Sequence, residues 1–299
     1  MSKSKTRRIL FVVNPFAGIS KKQRFPAMVE RKLGKSDVYY RISYTEYAGH
    51  ATELASQAVE DGVDIVAAVG GDGTVNEVAK ALIGTDVPLA IIPGGSGNGL
   101  STHLGIGRNA GRALRILRDP DFKSIDTCKV NDEVFINMAG TGMDAAVAHR
   151  TSTNRHRGFM NYFMDAMKIS LSYQNESYQV EVNDEIKEGK FLSVNVANGS
   201  MFGYNFVVAP HANISDGNLQ LVMMHNAPKW KYILHSWRFF TRTIHRAPFT
   251  EIVAAKSVKI KAENPITYHK DGDGRSTNIH ELNAEVIPNS LRVAVPKFS

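Results

Sequence analysis

The sequence predicts an α/β domain with a parallel sheet, followed by a second domain that is a mainly antiparallel β-sandwich. Short apolar runs alternate with amphipathic stretches from Arg7 to about Arg118, which is the rhythm of repeated βαβ units. These runs are nearly continuous in apolar residues, as is typical of parallel strands covered on both faces. After about Ser124 the rhythm changes to strand-like runs separated by turn residues. A chain of 299 residues is long enough for two such cores.

The alternation gives the elements of the first domain in order. The predicted strands span 7–14, 38–45, 64–69 and 88–92, and the predicted helices between them span 21–33, 48–61 and 74–83. Ligands of such folds bind beyond the carboxyl ends of the strands. We predict the first domain at 1–124, and we expect the C-terminal tail at about 289–299 to pack back on it.

The second domain, predicted at 125–288, is defined by its strand pattern. Its predicted strands, and one in the C-terminal tail, span 134–139, 178–182, 191–197, 219–224, 257–262 and 291–295. Two helical insertions, around 159–171 and 228–244, interrupt the pattern.

Composition narrows the class of protein and its partners. The balance of 36 Lys and Arg against 29 Asp and Glu gives a net charge of +7, which favours anionic partners. The single cysteine, Cys128, forms no internal disulfide, and no Cys/His spacing suits zinc. No run approaches the roughly 20 apolar residues that span a bilayer, and the first apolar run is too short for a signal peptide. We expect a cytoplasmic protein.

A glycine-rich segment lies between the third predicted strand and the next helix. It consists of Gly70, Gly71, Asp72, Gly73, Thr74, Val75, Asn76 and Glu77. Backbone amides and the positive end of a helix at this position can bind phosphate. Thr74 and Glu77 also predict a capping box, which requires no catalytic role. The box does not explain Asp72, because a carboxylate beside a phosphate is tolerated mainly when a bound cation offsets its charge.

A second glycine loop, Pro93-Gly94-Gly95-Ser96-Gly97-Asn98-Gly99, follows the fourth predicted strand and should open beside the first. Two such loops on neighbouring strand ends indicate a phosphate-binding cleft more strongly than one. Neither loop continues into the Gly-Lys-Ser/Thr of a Walker A motif, and neither has the dinucleotide GxGxxG spacing. These observations disfavour a P-loop enzyme and a Rossmann dehydrogenase.

The motifs GGDGTVNE and PGGSGNG, with Asn14-Pro15 ending the first strand, resemble those of the diacylglycerol kinase catalytic-domain family. This family groups bacterial diacylglycerol kinase-like lipid kinases with sphingosine and ceramide kinases. The later segments Ser215-Asp216-Gly217 and Asp271-Gly272-Asp273 fall in the family's order. The resemblance implies an ATP-dependent lipid kinase that transfers the γ-phosphate to a diacylglycerol-like or sphingoid hydroxyl. It also implies that the domain at 1–124 is the nucleotide-binding domain, that the domain at 125–288 is the lipid-substrate domain, and that the active site lies between them.

The resemblance implies specific ligands for ATP and Mg2+. The implied ATP contacts are Asn14, Pro15, Phe16, Ala17, Gly18, Thr45, the Gly70 to Glu77 segment, Gly95, Ser96 and Asn98. The implied structural Mg2+ site is built from the Asp216 carboxylate and the backbone carbonyls of Asn213 and Asn218. From the residues alone, the same Asp-Gly segment predicts a turn. Oxygen-only ligands suit a hard cation.

The acidic turn at Asp271 and Asp273 has two interpretations. Its turn signals are equally consistent with an ordinary surface turn, and Arg275 and Ser276 exclude a calcium-binding EF-hand loop. In the lipid kinases the segment reads Asp-Gly-Glu and supplies the general base, so Asp273 stands in place of the Glu. The catalytic residues implied are Asp273 or Asp271 as base, with Asp72 in a magnesium-linked acidic network. The choice between Asp271 and Asp273 stays open.

The predicted helix from Trp230 to Ile244 is amphipathic. Apolar residues recur at helical spacing, and basic residues gather toward the other side. The ordinary interpretation is that the apolar stripe packs against the sheet. The alternative is a helix that lies on an anionic membrane. Peripheral contact with the inner membrane face is therefore a hypothesis.

Several functions remain open on the sequence. An NAD kinase-like phosphotransferase shares the GGDG-type loop, and a catalytically silent nucleotide- or lipid-binding protein would account for the altered base. No aromatic-basic recognition motif supports nucleic-acid binding. Asn98-Gly99-Leu100 is more similar to the sphingosine and ceramide kinases than to the Asn-Asp-Phe of many bacterial diacylglycerol kinases, so the acceptor lipid is open. An oligomer is compatible with the sequence, but no motif indicates one.

Overall fold

The structure is a computed structural model, and its described residues form two compact units. The first unit comprises Met1–Ile125 and Asn289–Ser299, and the second comprises Asp126–Pro288. The structure describes residues 6–17, 24–34, 36–95, 97–153, 169, 172–203 and 205–297. Two predicted site residues, Gly18 and Ser96, lie outside them, as does most of the insertion predicted at 159–171. Within the described ranges, no helix has the length and apolar character needed to cross a bilayer.

The first unit alternates strands and helices. Its elements are β1 Arg7–Val13, α1 Arg24–Leu33, β2 Val38–Tyr44, α2 His50–Glu60, β3 Ile65–Gly70, α3 Asp72–Leu82, β4 Leu89–Pro93, α4 Gly99–His103 and α5 Ala110–Ile116. The predicted strands and helices are present, and their ends lie within two residues of the predicted ones, apart from the start of the helix predicted at 21–33, whose residues 21–23 lie outside the described residues. The short helices α4 and α5 were not predicted from the sequence.

The strands β1 to β4 form a parallel sheet in the order β2-β1-β3-β4. Val13 lies opposite both Tyr44 and Val69, and Gly70 lies opposite Pro93, so the four strands end at nearly the same level. Strands β3 and β4 are buried along their whole length. The strand order reverses between β1 and β3, and such a reversal is where open α/β sheets bind ligands.

The second unit is mainly antiparallel sheet. Its elements, two of which extend into the first unit, are β5 Asp121–Val130, β6 Glu133–Phe135, β7 Met138–Gly142, α6 Met143–Thr153, β8 Glu176–Val182, β9 Glu185–Ala197, β10 Met201–Gly203, β11 Phe206–Val207, β12 Leu219–His225, α7 Lys229–His235, α8 Trp237–Phe240, β13 Thr250–Ala255, β14 Ser257–Lys261, β15 Thr267–Lys270, β16 Asp273–Ser276 and β17 Glu281–Val295. The predicted fold class is confirmed.

The antiparallel strands follow the order β16-β15-β7-β9-β8-β14-β17, and β12 pairs with both β9 and β13. Their inward side chains form one large apolar core around Phe135, Phe191 and Val194, each of them fully buried. At its C-terminal end β17 belongs to the first unit, where Val293 pairs in parallel with Leu89 of β4. One strand therefore contributes to both units.

The helix predicted at 228–244 is instead two short helices, α7 and α8, followed by a turn of 3-10 helix at Ile244–Arg246. The break lies at Ser236, whose hydroxyl and amide both donate hydrogen bonds to the Ile233 carbonyl, at 2.8 Å and 3.2 Å. A serine that bonds to the preceding turn competes with the helical hydrogen-bond ladder. The expectation of one continuous helix is wrong.

Candidate active site

The carboxyl ends of the parallel strands bring several predicted phosphate-site residues to one edge of the first unit. The Asn14 amide donates to the Val69 carbonyl at 3.0 Å, and the Thr45 amide donates to the Val13 carbonyl at 2.9 Å. The Gly94 amide donates to the Gly70 carbonyl at 2.7 Å. The turn after β1, the residue after β2 and both glycine loops therefore follow neighbouring strands.

The two glycine loops pack backbone against backbone. A Cβ atom added at Gly95 would lie 2.5 Å from the Gly71 Cα, and one added at Gly94 would lie 3.3 Å from the Gly70 Cα. A Cβ at Gly70 would also meet the side chain of Thr74. Contacts this close leave little or no room for a side chain, so the fold itself accounts for these glycines.

Gly73 differs from the other glycines of the first loop. Apart from its chain neighbours and the backbone of α3, no described atom lies within 4 Å of a Cβ added there, and the residue is in the first turn of α3. Glycine is about 1 kcal/mol less favourable than alanine in the interior of a helix. Because neither packing nor a positive φ accounts for Gly73, the open space above it fits a ligand that approaches the backbone.

Asp72 connects the first loop to the second. Its carboxylate accepts hydrogen bonds from the Asn98 amide at 3.0 Å and the Gly99 amide at 3.1 Å, where α4 begins. Backbone amides at a helix start stabilise a carboxylate, so this arrangement needs no bound cation. These contacts give Asp72 a positioning role, and its place in a magnesium-linked network stays a prediction.

Asn98 shapes the second loop from within. Its backbone has a positive φ of 51°, and its side chain is only 5% exposed. The side-chain oxygen accepts from the Gly95 amide at 3.1 Å, and the side-chain nitrogen donates to the Gly95 carbonyl at 2.7 Å. The Asn98 side chain therefore closes the second loop on itself. Its contact with ATP stays a prediction.

The turn after β1 is tied to α3. The Asn14 side-chain nitrogen donates to the Thr74 hydroxyl at 3.2 Å, and its oxygen accepts from the Phe16 amide at 2.9 Å. The Ala17 amide donates to the Asn14 carbonyl at 3.1 Å, which closes the turn around Pro15. The ring of Phe16 is 80% exposed at this edge.

The predicted capping box at Thr74 and Glu77 is wrong. Helix α3 begins at Asp72 after Gly71, and no side chain caps it. The Glu77 carboxylate instead accepts from the Ala51 amide in the first turn of α2 at 3.3 Å. The extended backbone of Gly71, with φ −90° and ψ −174°, lets the helix start two residues earlier than predicted. Val75 and Asn76 are also buried, at 4% and 7% exposure.

In the second unit, the acidic turn connects β15 to β16. Lys270 pairs with Asp273, and the two residues between them, Asp271 and Gly272, have φ values of 48° and 90°. Positive φ at both central positions is the signature of a type I′ hairpin turn, which favours Asp-Gly. The hairpin leaves Asp273 exposed at the start of β16.

The Asp271 carboxylate is held by the backbone before β7. It accepts from the amides of Ile136 at 3.0 Å, Asn137 at 2.9 Å and Met138 at 3.0 Å. The Asp271 amide donates in turn to the Met138 carbonyl at 2.8 Å. Asp271 therefore braces the hairpin against the neighbouring chain, whereas Asp273 faces solvent.

A buried polar chain lies beside this hairpin. His269 Nε2 lies 3.0 Å from Asn195 Oδ1, and Asn195 Nδ2 donates to Asp144 Oδ2 at 2.6 Å. Burial lowers the pKa of His269 to about 4 and raises the pKa of Asp144. The imidazole is therefore neutral at pH 7. Sequence reasoning missed Asp144 and Asn195, because a lone polar residue in an apolar run gives no signal.

The predicted magnesium loop is an Asx turn. Asp216 Oδ1 accepts from the Asn218 amide at 2.9 Å, and Asn213 Oδ1 accepts from the Ser215 amide at 3.3 Å. Asp126, which is fully buried and which the sequence did not single out, accepts from the Gly217 amide at 2.7 Å. In the part of the chain that the structure describes, no three His, Cys, Asp or Glu residues are placed to hold a metal ion. The proposed donors are nevertheless all oxygen, which fits a hard cation.

Two family models together match almost all of the chain. Residues 8–130 match the diacylglycerol kinase catalytic domain, and residues 137–295 match the YegS C-terminal NAD kinase beta sandwich-like domain. The chain belongs to the diacylglycerol kinase catalytic-domain family. The resemblance identified from the glycine loops is confirmed, and the chain is an enzyme of a lipid kinase family.

Similar proteins support this membership. The "Lipid kinase YegS" of Escherichia coli K12 is 29% identical over 277 residues, which cover 90% of this chain and 89% of the relative. A "Probable lipid kinase YegS-like" of Citrobacter koseri is 29% identical and covers 87% of each chain. A solved structure titled as a diacylglycerol kinase of Bacillus anthracis has a TM-score of 0.72 at 23% identity, covering 98% of both chains. A second structure from that organism reaches 0.79 at 23% identity, covering 98% of this chain and 97% of that one. These two structures show a shared fold.

Proposed function

We propose that this family member transfers the γ-phosphate of ATP to the hydroxyl group of a lipid, and that its glycine loops hold the nucleotide phosphates. One observation carries the proposal: the loops pack together at the level ends of β3 and β4, while no described residue outside α3 and Gly73's chain neighbours comes within 4 Å of a Cβ added at Gly73. The loops follow the strands beside the reversal in strand order, where α/β sheets bind ligands. Family membership supports the lipid acceptor.

The first unit supplies the phosphate-binding groups of the proposal. The first-turn amides of α3 have no partner within the helix and point toward the loop edge, where the helix dipole favours an anion. Asp72 holds the second loop against the first, so that both present their backbone to the same ligand. Asn14 fixes the turn after β1 beside α3. These contacts pre-organise the loops before the nucleotide arrives.

Charge on the phosphates must also be neutralised. A Mg2+ ion bound with the nucleotide would neutralise this charge, and Asp72 would belong to the acidic network linked to that ion. Asp216, with the backbone carbonyls of Asn213 and Asn218, is the proposed site for a separate, structural Mg2+ ion. The Asx turn at Asp216 gives the carboxylate and the carbonyls a fixed local conformation.

The general base of the proposal is Asp273. A kinase base must accept the proton of the attacking hydroxyl, so its carboxylate must be accessible to the acceptor. Asp273 is exposed, while three backbone amides occupy the Asp271 carboxylate. The proposal requires the loops and Asp273 to meet in a cleft between the two units, as the family resemblance implies.

The test is transfer of labelled γ-phosphate from MgATP to diacylglycerol, monoacylglycerol, sphingosine and ceramide in mixed micelles, with NAD as a further acceptor. We expect transfer to one lipid, and loss of transfer in Asp273→Asn. Transfer to NAD alone would assign the protein to the NAD kinase-like alternative. MgATP binding without transfer to any acceptor would contradict the proposed reaction.

The proposed location follows from the proposed substrate. A lipid acceptor resides in a bilayer, so a cytoplasmic enzyme must reach the inner membrane face to act on it. A peripheral contact with an anionic membrane is part of this proposal.

A further inference from the structure

An exposed apolar surface lies on the short helices of the second unit. We call it the α7–α8 surface, and its side chains are Trp230, Ile233, Leu234, Trp237 and Phe240. Their exposed fractions are 59%, 50%, 58%, 52% and 46%. Helices that pack an apolar stripe on a sheet bury it, so the packed-stripe interpretation of this segment is wrong for these five residues. A cluster of large exposed apolar side chains marks an interaction site.

Other side chains of the same segment anchor it to the second unit. Tyr232 Oη donates to the His225 carbonyl at 2.9 Å and accepts from the Ala227 amide at 2.7 Å. The ring of Phe239 stacks on that of Phe206 with centroids 4.1 Å apart, and Ile244 is fully buried. Because these anchors face the unit, the side chains of Trp230, Ile233, Leu234 and Trp237 face away from it, while the half-exposed ring of Phe240 also contacts that of Phe206, with centroids 5.8 Å apart.

The segment also carries a one-sided charge. Between Pro228 and Phe249 there is no Asp or Glu, and there are five Lys and Arg residues: Lys229, Lys231, Arg238, Arg242 and Arg246. Arg242 and Arg246 have no acidic partner among the residues described in the structure. The charges of Arg242 and Arg246 are therefore not compensated by any described ion pair.

The charges border the apolar side chains. The guanidinium of Arg238 lies 4.8 Å from the centroid of the Trp237 ring, and the ammonium of Lys231 lies 5.7 Å from that of Trp230. Tryptophan and basic side chains together are typical of segments that lie at the headgroup level of a bilayer. Anionic lipids complement the uncompensated cations.

We propose that the α7–α8 surface docks on an anionic lipid bilayer, with Trp230, Leu234, Trp237 and Phe240 entering the headgroup region. A second copy of the chain would leave two sets of uncompensated cations facing each other, which is unfavourable. The inference rests on the second unit alone. It would hold whichever lipid accepts the phosphate.

The chain contains its own reporter for this contact. Its only two tryptophans are Trp230 and Trp237, and both belong to the α7–α8 surface. Adding vesicles of phosphatidylglycerol and phosphatidylcholine at low salt should shift the tryptophan emission to shorter wavelength. Pure phosphatidylcholine vesicles should shift it much less, and added salt should reverse the shift. Unchanged emission with the anionic vesicles would overturn the proposal.

Flotation with the same vesicles separates the apolar contribution from the charge. Trp237→Ala should weaken vesicle binding on the order of tenfold, because it removes a large interfacial side chain. Ile186→Ala is the matched control, since Ile186 is 61% exposed on the same unit but lies outside the α7–α8 surface. Equal effects of the two substitutions would contradict the assignment of the surface.

Charge reversal gives a second matched pair. Arg246→Glu should weaken binding to the anionic vesicles at least about fivefold, since each basic residue near an anionic surface strengthens binding by about that factor. Lys256→Glu changes the net charge equally at an exposed position outside the segment and should have little effect. Equal losses in both variants would show that only the overall charge matters, against the proposal.

Two further measurements separate membrane docking from self-association of the chain and from a defect in catalysis. Sedimentation of the free protein that reveals a dimer, and a monomer for Trp237→Ala, would assign the surface to a second copy and overturn the proposal. Transfer to a water-soluble short-chain lipid should be equal in the wild type and Trp237→Ala, while transfer to vesicle lipid should fall in the variant. Vesicle binding without transfer by the wild type would refute the proposed reaction and leave the docking inference standing.

Discussion

Asp271 and Asp273 lie two positions apart, yet the type I′ turn gives their carboxylates different surroundings. Asp271 accepts from three backbone amides, and Asp273 is exposed. We predict that Asp273→Asn lowers the transfer rate by roughly 100- to 10,000-fold, the usual contribution of a general base. Its free energy of unfolding should stay within about 0.5 kcal/mol of wild type. Rates with MgATP and lipid, with urea unfolding, measure both.

Asp271→Asn is the matched control. It replaces a charged acceptor with a neutral amide facing the same three backbone amides. The free energy of unfolding should therefore fall by about 1–3 kcal/mol. A full loss of transfer by Asp271→Asn in a stable protein, with Asp273→Asn active, would reverse the assignment of the base.

His269 predicts how stability depends on pH. Its folded pKa of about 4 lies below the usual value of 6.5, so the unfolded chain takes up a proton first as the pH falls. Its stabilising contribution is present above pH 6.5, declines as the pH falls, and is lost near pH 4. Between these two pH values, the contribution of His269 to the free energy of unfolding changes by roughly 3 kcal/mol. Asp144 acts in the opposite sense, because its raised pKa favours the folded state at low pH.

Urea unfolding of wild type and His269→Gln at pH 7 and pH 4.5 measures this contribution. The variant should lose less free energy of unfolding than the wild type between these two pH values. Because the comparison is between the changes with pH, a destabilisation of His269→Gln that is equal at both pH values does not affect it. Equal losses in both proteins would show that His269 is not held neutral by burial.

At the scale of elements, Glu77 links α3 to α2 through the Ala51 amide. We predict that Glu77→Ala lowers the free energy of unfolding by about 0.5–2 kcal/mol, as loss of a helix cap does. Affinity for MgATP should be unchanged, because the carboxylate is directed at α2. Calorimetric titration and thermal unfolding test both parts. A large loss of affinity without loss of stability would restore Glu77 as a nucleotide contact.

The sequence predicts the elements of the first unit well, because its strands are continuous apolar runs between amphipathic helices. It does less well in the second unit. Strands β15 and β16, at Thr267–Lys270 and Asp273–Ser276, are polar or charged and follow no apolar alternation. Their pairing with β7 decides their conformation, and such tertiary contacts are absent from local propensity.

The sequence likewise predicts some features of the candidate active site and misses others. The glycine loops were predictable because strand ends of a parallel sheet meet at one edge. The roles of Asp72 and Asn98 were not, since both depend on contacts that form only when the second loop folds beside the first. The family resemblance identified the kinase class, and the geometry separates Asp271 from Asp273.

At the scale of the whole molecule, the chain crosses between its two units at residues 125–126 and 288–289. The second unit is thus inserted into the first, which β17 completes by pairing with β4. The sheet of the first unit is therefore completed by residues that follow the second unit in the chain. The central claim of the proposed function is that the glycine loops of the first unit bind the nucleotide phosphates.

The most direct test of that central claim is calorimetric titration of MgATP into Gly73→Ala, with thermal unfolding of the same protein. Apart from its chain neighbours and the backbone of α3, no described atom lies within 4 Å of the added Cβ, and alanine favours a helix by up to about 1 kcal/mol. We predict a protein at least as stable as wild type that binds MgATP at least about tenfold more weakly, because the methyl group obstructs the phosphates. Undiminished affinity in a folded variant would contradict the claim that these loops hold the nucleotide phosphates.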